Sequence, residues 1–206
     1  MNPVFSDKTK DLAPSAIREI FKSLTDPEMI SFAAGNPSPQ SFPVEKMSLV
    51  SQDIFQNDYV NAFQYSVTEG YTPLRELVKK RLASKFGINN PDDELIITTG
   101  GQQGIDLTAK VLCNEHDVVI TEDPSFIGAL NAFRAYNTRL AGVENEKDGI
   151  NVEKLEKAII DNPYCKLIYL IPTFQNPSGT TMSLEKRKRV IELANKYDKV
   201  IHEDNP

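Results

Sequence analysis

The chain has 206 residues, 40% hydrophobic and 25% charged, the balance of an ordinary globular protein, which excludes a disordered or fibrous chain. Its formal net charge of −6 argues against the broad basic face that a nucleic-acid binder needs to displace counterions, and no stretch approaches the roughly 18 uninterrupted apolar residues of a membrane span. Cys113 and Cys165 lack CxxC spacing and a histidine cluster, so two reduced core thiols are expected rather than disulfides or zinc, and the leaderless start MNPVFSDKTKD makes a cytoplasmic location the expectation.

Along the chain, Ile17, Ile20, Phe21 and Leu24 follow Pro14 at helical spacing, and the proline-rich SFAAGNPSPQSFP at 31–43 reads as an irregular strap. Thr72, Pro73 and the apolar series Leu74, Leu77, Val78, Leu82 and Phe86, closed by Gly87, predict a helix. Strands and helices then alternate. Strands are predicted at 95–100, 117–123, 138–144, 166–172 and 199–204, with helices at 102–113, near 126–135, at 152–161 and at 183–197. Short apolar runs separated by helices predict an α/β fold, a three-layer α/β/α arrangement around a mainly parallel sheet. The basic block KRKR at 186–189 falls within the last helix and reads as a solvated face.

Ligands of such sheets sit beyond the C-terminal strand ends, which directs attention to TTGGQQG, TEDPSF, IPTFQNPSG and HEDNP. The run Thr99 to Gly104 opens a helix after a predicted strand; its amides can hold an anion, or its small residues can serve a tight turn. A dinucleotide site would use Glu122 as the ribose-binding acid, but Thr99 stands where the first glycine of that fingerprint belongs. Asn176, beside Pro177, can be a turn residue or an amide donor aimed into a cleft. Asp204 can be a cap or a partner for a protonated ring nitrogen. His116 and His202 read as surface or strand-end residues, and Tyr71 as packing on the helix that follows it.

Taken in order, the glycine-rich turn with its glutamine, EDPSF, FQNPSG and HEDNP resemble the large domain of fold-type I, pyridoxal-phosphate-dependent aminotransferases. The likeness is strongest to their aromatic, 2-aminoadipate and kynurenine branch, a scaffold that also serves as the effector domain of GntR/MocR-like transcription regulators. FQYSVTEGYTPLRE at 63–76 and ISFAAGNPSPQSFP at 30–43 resemble further segments of that branch, so the likeness runs over roughly 14–206.

The resemblance implies that Gly101 and Gln102 cradle the phosphate of pyridoxal 5′-phosphate and that Phe126 stacks on its ring, where many relatives carry tyrosine. Asn176 would bond the ring O3′. Asp204 would pair with the ring nitrogen and keep it protonated, so that the ring draws electrons during amino-group transfer. Tyr65 would reach the phosphate of a neighbouring subunit, making the parent a homodimer. Gly35 and Asn36 would lie near the substrate carboxylate. Residues 1–50 would form the N-terminal helix and strap of the small domain and active-site entrance, and 51–206 a partial cofactor-binding domain.

The implied reaction moves an amino group from an aromatic or dicarboxylic L-amino acid to a 2-oxo acid, within amino-acid metabolism. Alternatives on the same scaffold are a regulator's effector domain, which would need a winged-helix segment before Met1, and a β-lyase or decarboxylase. The family's Schiff-base lysine, in an SxSK-type loop, and its carboxylate-binding arginine have no counterpart among these residues. The expectation is therefore a truncated, inactive portion of a longer enzyme, with weak cofactor binding at most and with exposed sheet edges where later strands of the family would pair.

Overall fold

In the computed structural model, the residues described are Val4, Ser6 and 37–206. The predicted first helix and the expected substrate contacts Gly35 and Asn36 lie outside them. Two compact units divide the chain, one of them residues 99–206 and the other ending at Thr98.

The regular elements of the unit ending at Thr98, where described, are helices. A single 3-10 turn (Pro39–Ser41) leads to α1 (Val44–Asn57), α2 (Tyr59–Phe63) and α3 (Thr72–Phe86). Helix α1 runs unbroken through residue 50. Proline in the first turn starts α3, and Gly87 ends it in the left-handed conformation at φ 68°, its N–H returning to Leu82 and Ala83. Tyr71 stands just before α3, 48% exposed, its carbonyl accepting from the Arg75 N–H.

The strand predicted at 95–100 is absent. Among the described residues no neighbour offers this run a ladder. Its fixed points are the Ile97 N–H on the Glu69 carbonyl (2.9 Å) and the Arg75 guanidinium on the Leu95 carbonyl (2.7 Å). An apolar run becomes a strand only when a partner takes up its backbone groups.

Residues 99–206 form the predicted three layers. In chain order they are α4 (Gly100–Leu112), β1 (Val118–Asp123), α5 (Ile127–Arg134), β2 (Arg139–Glu146), β3 (Gly149–Ile150), α6 (Val152–Asp161), β4 (Cys165–Leu170), α7 (Leu184–Lys196) and β5 (Val200–Glu203). The sheet order is β3-β2-β1-β4-β5, parallel except for the short β2–β3 hairpin, which the sequence reading did not separate from β2.

Alternation along the strands makes two cores. Val118, Ile120, Ile168 and Leu170 face α6 and α7, where Leu155, Ile159, Val190 and Leu193 meet them. Val119, Leu167, Tyr169 and Ile171 face α4 and α5, against Ile105, Ala109, Ala129 and Phe133. Both faces of β1 and β4 are thus covered, the reason these strands read as continuous apolar runs. Helix α6 buries Val152, Leu155 and Ile159, one face at helical spacing, and Asn151 caps it by accepting from the Lys154 N–H (2.8 Å). Each fully buried leucine or isoleucine contributes about 1.5–3 kcal/mol.

The KRKR block is not a simple solvated face. Lys186 pairs with Glu146 and Asp148 on the β2–β3 hairpin, and Arg187 donates to the carbonyls of Pro172 and Met182. Only the outer part of the block, Arg189 with Glu192, is an exposed helix pair. Cys113 and Cys165 are free, and burial pushes both thiols up. Among the described residues, no helix is long and apolar enough to cross a membrane and no side-chain cluster could hold a metal ion.

Candidate active site

Three strands of the 99–206 unit end at one edge beside the N-termini of α4 and α5. Their loops enclose a cleft of about 200 Å³ lined by Gly101, Gln102, Phe126, Asn176 and Asp204, with Ile105 and Ile171 between them. All five residues expected there from the sequence are brought together. Tyr65 belongs to the other unit, is 97% exposed and donates its N–H to the Gln64 side chain. A larger groove of about 540 Å³ between α3 and residues 88–95 carries mixed charges and none of the expected residues.

Helix α4 begins at Gly100, two residues before its predicted start, because Gly100 takes φ 75° and turns the chain directly into the helix. Gln103 closes this start by accepting the Thr99 N–H (2.5 Å). Gly101 and Gln102 therefore stand in the first turn, where backbone N–H groups have no acceptor within the helix and the dipole favours an anion. Gln102 is itself held by a bond to the Gly128 carbonyl on α5 (3.1 Å).

Gly128 leaves space that nothing larger could leave. A Cβ there would lie 2.5 Å from the Phe126 ring and 2.7 Å from Gln102 Oε1. Gly128→Ala is therefore expected to push the Phe126 ring off its seat. If Phe126 is the stacking face that the sequence resemblance implies, affinity for a phosphorylated pyridine should fall about three- to tenfold, because an aromatic stack is worth about 0.5–1.5 kcal/mol beyond its area. Fluorescence titration with pyridoxamine phosphate checks it, and unchanged affinity would show that the close approach is unimportant.

The loop 172–182 that carries Asn176 is tied at its base. Met182 donates to the Pro172 carbonyl (2.8 Å), Gln175 to the Thr180 carbonyl (2.8 Å), and the Arg187 guanidinium spans Pro172 and Met182 (2.6 and 3.0 Å). Gln175, 2% exposed, joins this loop to the β1 loop, donating to the Pro124 carbonyl and accepting from the Ser178 N–H, both at 2.8 Å. The peptides preceding Pro124 and Pro177 are cis.

Glu122 is not available to a ribose. Its carboxylate is 2% exposed and accepts the Ile171 N–H (2.8 Å), bridging β1 to the end of β4. Burial pushes this acid up, and the hydrogen bond from the Ile171 N–H opposes that only in part. The folded chain thus holds the Glu122 proton more tightly than the unfolded chain, so stability falls as pH rises from the ordinary glutamate value through the raised one. Glu122→Gln keeps an acceptor for Ile171 and is expected to remove that slope. Urea midpoints of the two proteins between about pH 4 and 7 should diverge in their pH dependence; parallel curves would refute it.

Asp204 follows β5. Its N–H donates to the Leu170 carbonyl (2.9 Å) and its Oδ2 accepts the Tyr169 hydroxyl at 2.6 Å. His202 turns its Nδ1 to Thr108 Oγ1 (3.2 Å) and rests against the Tyr169 ring; burial lowers its pKa, with Asp204 opposing. His116 is exposed. Sequence reasoning passed over Tyr169 and Gln175: the first hides in the apolar run KLIYLIP, and the second sits next to the asparagine that drew the attention.

Residues 27–202 match the model of the aminotransferase class I and II family. The chain belongs to that family. Aromatic-amino-acid aminotransferase 1 of Thermococcus litoralis is 36% identical over 98% of this chain and 49% of its own length, and 2-aminoadipate transaminase of Thermus thermophilus is 38% identical over 93% and 46%. The crystal structure of Pyrococcus horikoshii kynurenine aminotransferase, solved with PMP, superposes with a TM-score of 0.90 at 37% identity, covering 98% of this chain and 51% of that one. This aminotransferase-family chain thus spans about half the length of the curated relatives it matches.

Its cleft fits pyridoxal phosphate. A helix start lies ready for phosphate, a ring face stands over a glycine that admits no Cβ, and an amide and a carboxylate lie on separate loops.

Proposed function

We propose that the chain is the cofactor-binding portion of a pyridoxal-phosphate-dependent aminotransferase that moves an amino group from an aromatic or dicarboxylic L-amino acid to a 2-oxo acid. The observation that carries this reading is the cleft lined by Gly101, Gln102, Phe126, Asn176 and Asp204. Pyridoxal phosphate, when bound, supplies an electron-withdrawing ring that makes a bound amino acid's α-proton removable.

Around that ring, the α4 start would hold the phosphate and Phe126 would cover one face and exclude water from it. Asn176 would donate to the O3′ oxygen, and the Asp204 carboxylate would keep a proton on the ring nitrogen. In the parent enzyme Gly35 and Asn36 would lie near the substrate carboxylate, and Tyr65 would reach the phosphate of the second subunit of a homodimer. Residues 1–50 would contribute the entrance, and 51–206 the cradle. The parent would be a cytoplasmic enzyme of amino-acid biosynthesis, and the 206 residues by themselves would bind cofactor without transferring amino groups.

Titrating the chain with pyridoxamine 5′-phosphate, which has no aldehyde to react with surface lysines, tests the cradle: saturable one-to-one binding displaced by pyridoxal phosphate is expected. Absence of saturable binding would overturn the reading. Borohydride reduction after adding pyridoxal phosphate should leave no single lysine stoichiometrically labelled, and such a lysine would show that the chain carries its own anchor.

A further inference from the structure

We propose that Tyr169 is a positioning residue that holds Asp204 by one carboxylate oxygen and so presents the other to the cofactor's ring nitrogen. The inference rests on the cofactor reading of the cleft.

Tyr169 sits on β4, fully buried, where packing alone asks only for an aromatic ring. Its ring meets Phe133 edge-on at 5.5 Å and lies 5.6 Å from His202, so it has one orientation. The hydroxyl is a costly addition to such a place, since a buried polar group without a partner is destabilising by about 1–3 kcal/mol. Its one hydrogen bond among the described residues goes to Asp204 Oδ2, at 2.6 Å. The adjacent residue on β4, Leu170, takes the Asp204 N–H. One strand therefore fixes both the backbone and the carboxylate of Asp204.

The bond has a fixed direction. Burial, then the Asp204 carboxylate itself, raise the Tyr169 phenol far above its ordinary value, so it stays a donor and Asp204 stays the acceptor. The hydrogen-bond contact of the His202 ring is to Thr108 Oγ1, and among the described residues none runs from it to Asp204. With Oδ2 occupied, Oδ1 is the oxygen left to meet a ligand in the cleft that Asp204 lines. A pyridinium needs one such oxygen in the plane of its ring; a carboxylate free to rotate would offer it only part of the time.

The test compares pyridoxamine phosphate with its analogue carrying C–H in place of the ring nitrogen, binding to the 206-residue chain. The unaltered chain should prefer the nitrogen ligand about tenfold, as a charge-assisted bond does over none. Tyr169→Phe, which keeps the ring in the core, should cut that preference about threefold or more and change affinity for the carbon analogue by less than about twofold. Asp204→Asn should abolish the preference and sets the scale.

A Tyr169→Phe chain that keeps the full preference, or weakens both ligands equally, would leave Tyr169 a packing residue and overturn the inference. A chain binding neither ligand would remove the cofactor reading, and the inference with it, so the two failures are distinct. In the unaltered chain, the Tyr169 hydroxyl proton should shift in NMR spectra on adding pyridoxamine phosphate and stay put with the carbon analogue. No shift with either bound ligand would count against the inference whether or not the variant folds.

Discussion

Asp204→Asn is expected to lower affinity for pyridoxamine phosphate ten- to hundredfold while leaving the unfolding midpoint of the chain nearly unchanged. The asparagine keeps the backbone bond to the Leu170 carbonyl and still offers Oδ1 to the Tyr169 hydroxyl, so both native contacts of the position survive. What disappears is the charge. A hydrogen bond to a charged group contributes about 1.5–3 kcal/mol, and 1.4 kcal/mol is a factor of ten in affinity. Calorimetric titration at neutral pH measures the change; affinity within about twofold of the unaltered chain would mean that Asp204 does not meet the ring nitrogen.

Phe133→Ala should cost about 3–5 kcal/mol, the range for truncating a buried aromatic side chain. Phe133 has 0% exposure, packs edge-on against Tyr169 and gives its carbonyl to Thr138 Oγ1 at 2.9 Å. Against a typical total of about 5–15 kcal/mol, that is a large share of the stability of a domain. The cavity would open beside Tyr169, so ligand affinity should fall too, though less than in Asp204→Asn. Urea unfolding with an unchanged slope and a much lower midpoint is the expected signature; a midpoint shift equivalent to less than about 1 kcal/mol would show that neighbouring side chains collapse into the space.

How much of this was legible depended on how local each signal is. The helices at 72–86 and 152–161 and the four parallel strands follow from punctuation and apolar spacing within a few residues, and their predicted and observed bounds nearly coincide. The loop residues Gly101, Asn176 and Asp204 stood out because glycine, Asn-Pro and a terminal aspartate are unusual at strand ends, and the family likeness gave them roles.

The run at 95–100 misled because strand character lies in the neighbour that pairs with it and not in Ile96 and Ile97 themselves. The KRKR block misled for a related reason. Its acidic partners, Glu146 and Asp148, sit on a hairpin some 40 residues earlier in sequence, and the carbonyls that Arg187 takes are invisible to any charge pattern. Tyr169 was illegible because hydroxyl and ring share one letter: within KLIYLIP the ring explains the residue, and only the position of Asp204 explains the oxygen.

The cradle residues sit on separate connections, with Gly101 and Asp204 roughly half the chain apart in sequence. A small molecule seated among them would act as a further noncovalent cross-link between segments already joined through the sheet and by the Gln102–Gly128 and Gln175–Pro124 hydrogen bonds. Occupancy should therefore register as a rise in melting temperature of the whole 99–206 unit rather than the stiffening of one loop, with about 2.7 kcal/mol of added stability at a hundredfold excess of ligand over its dissociation constant. That makes melting temperature a direct way to rank candidate ligands on this chain without asking it to catalyse anything.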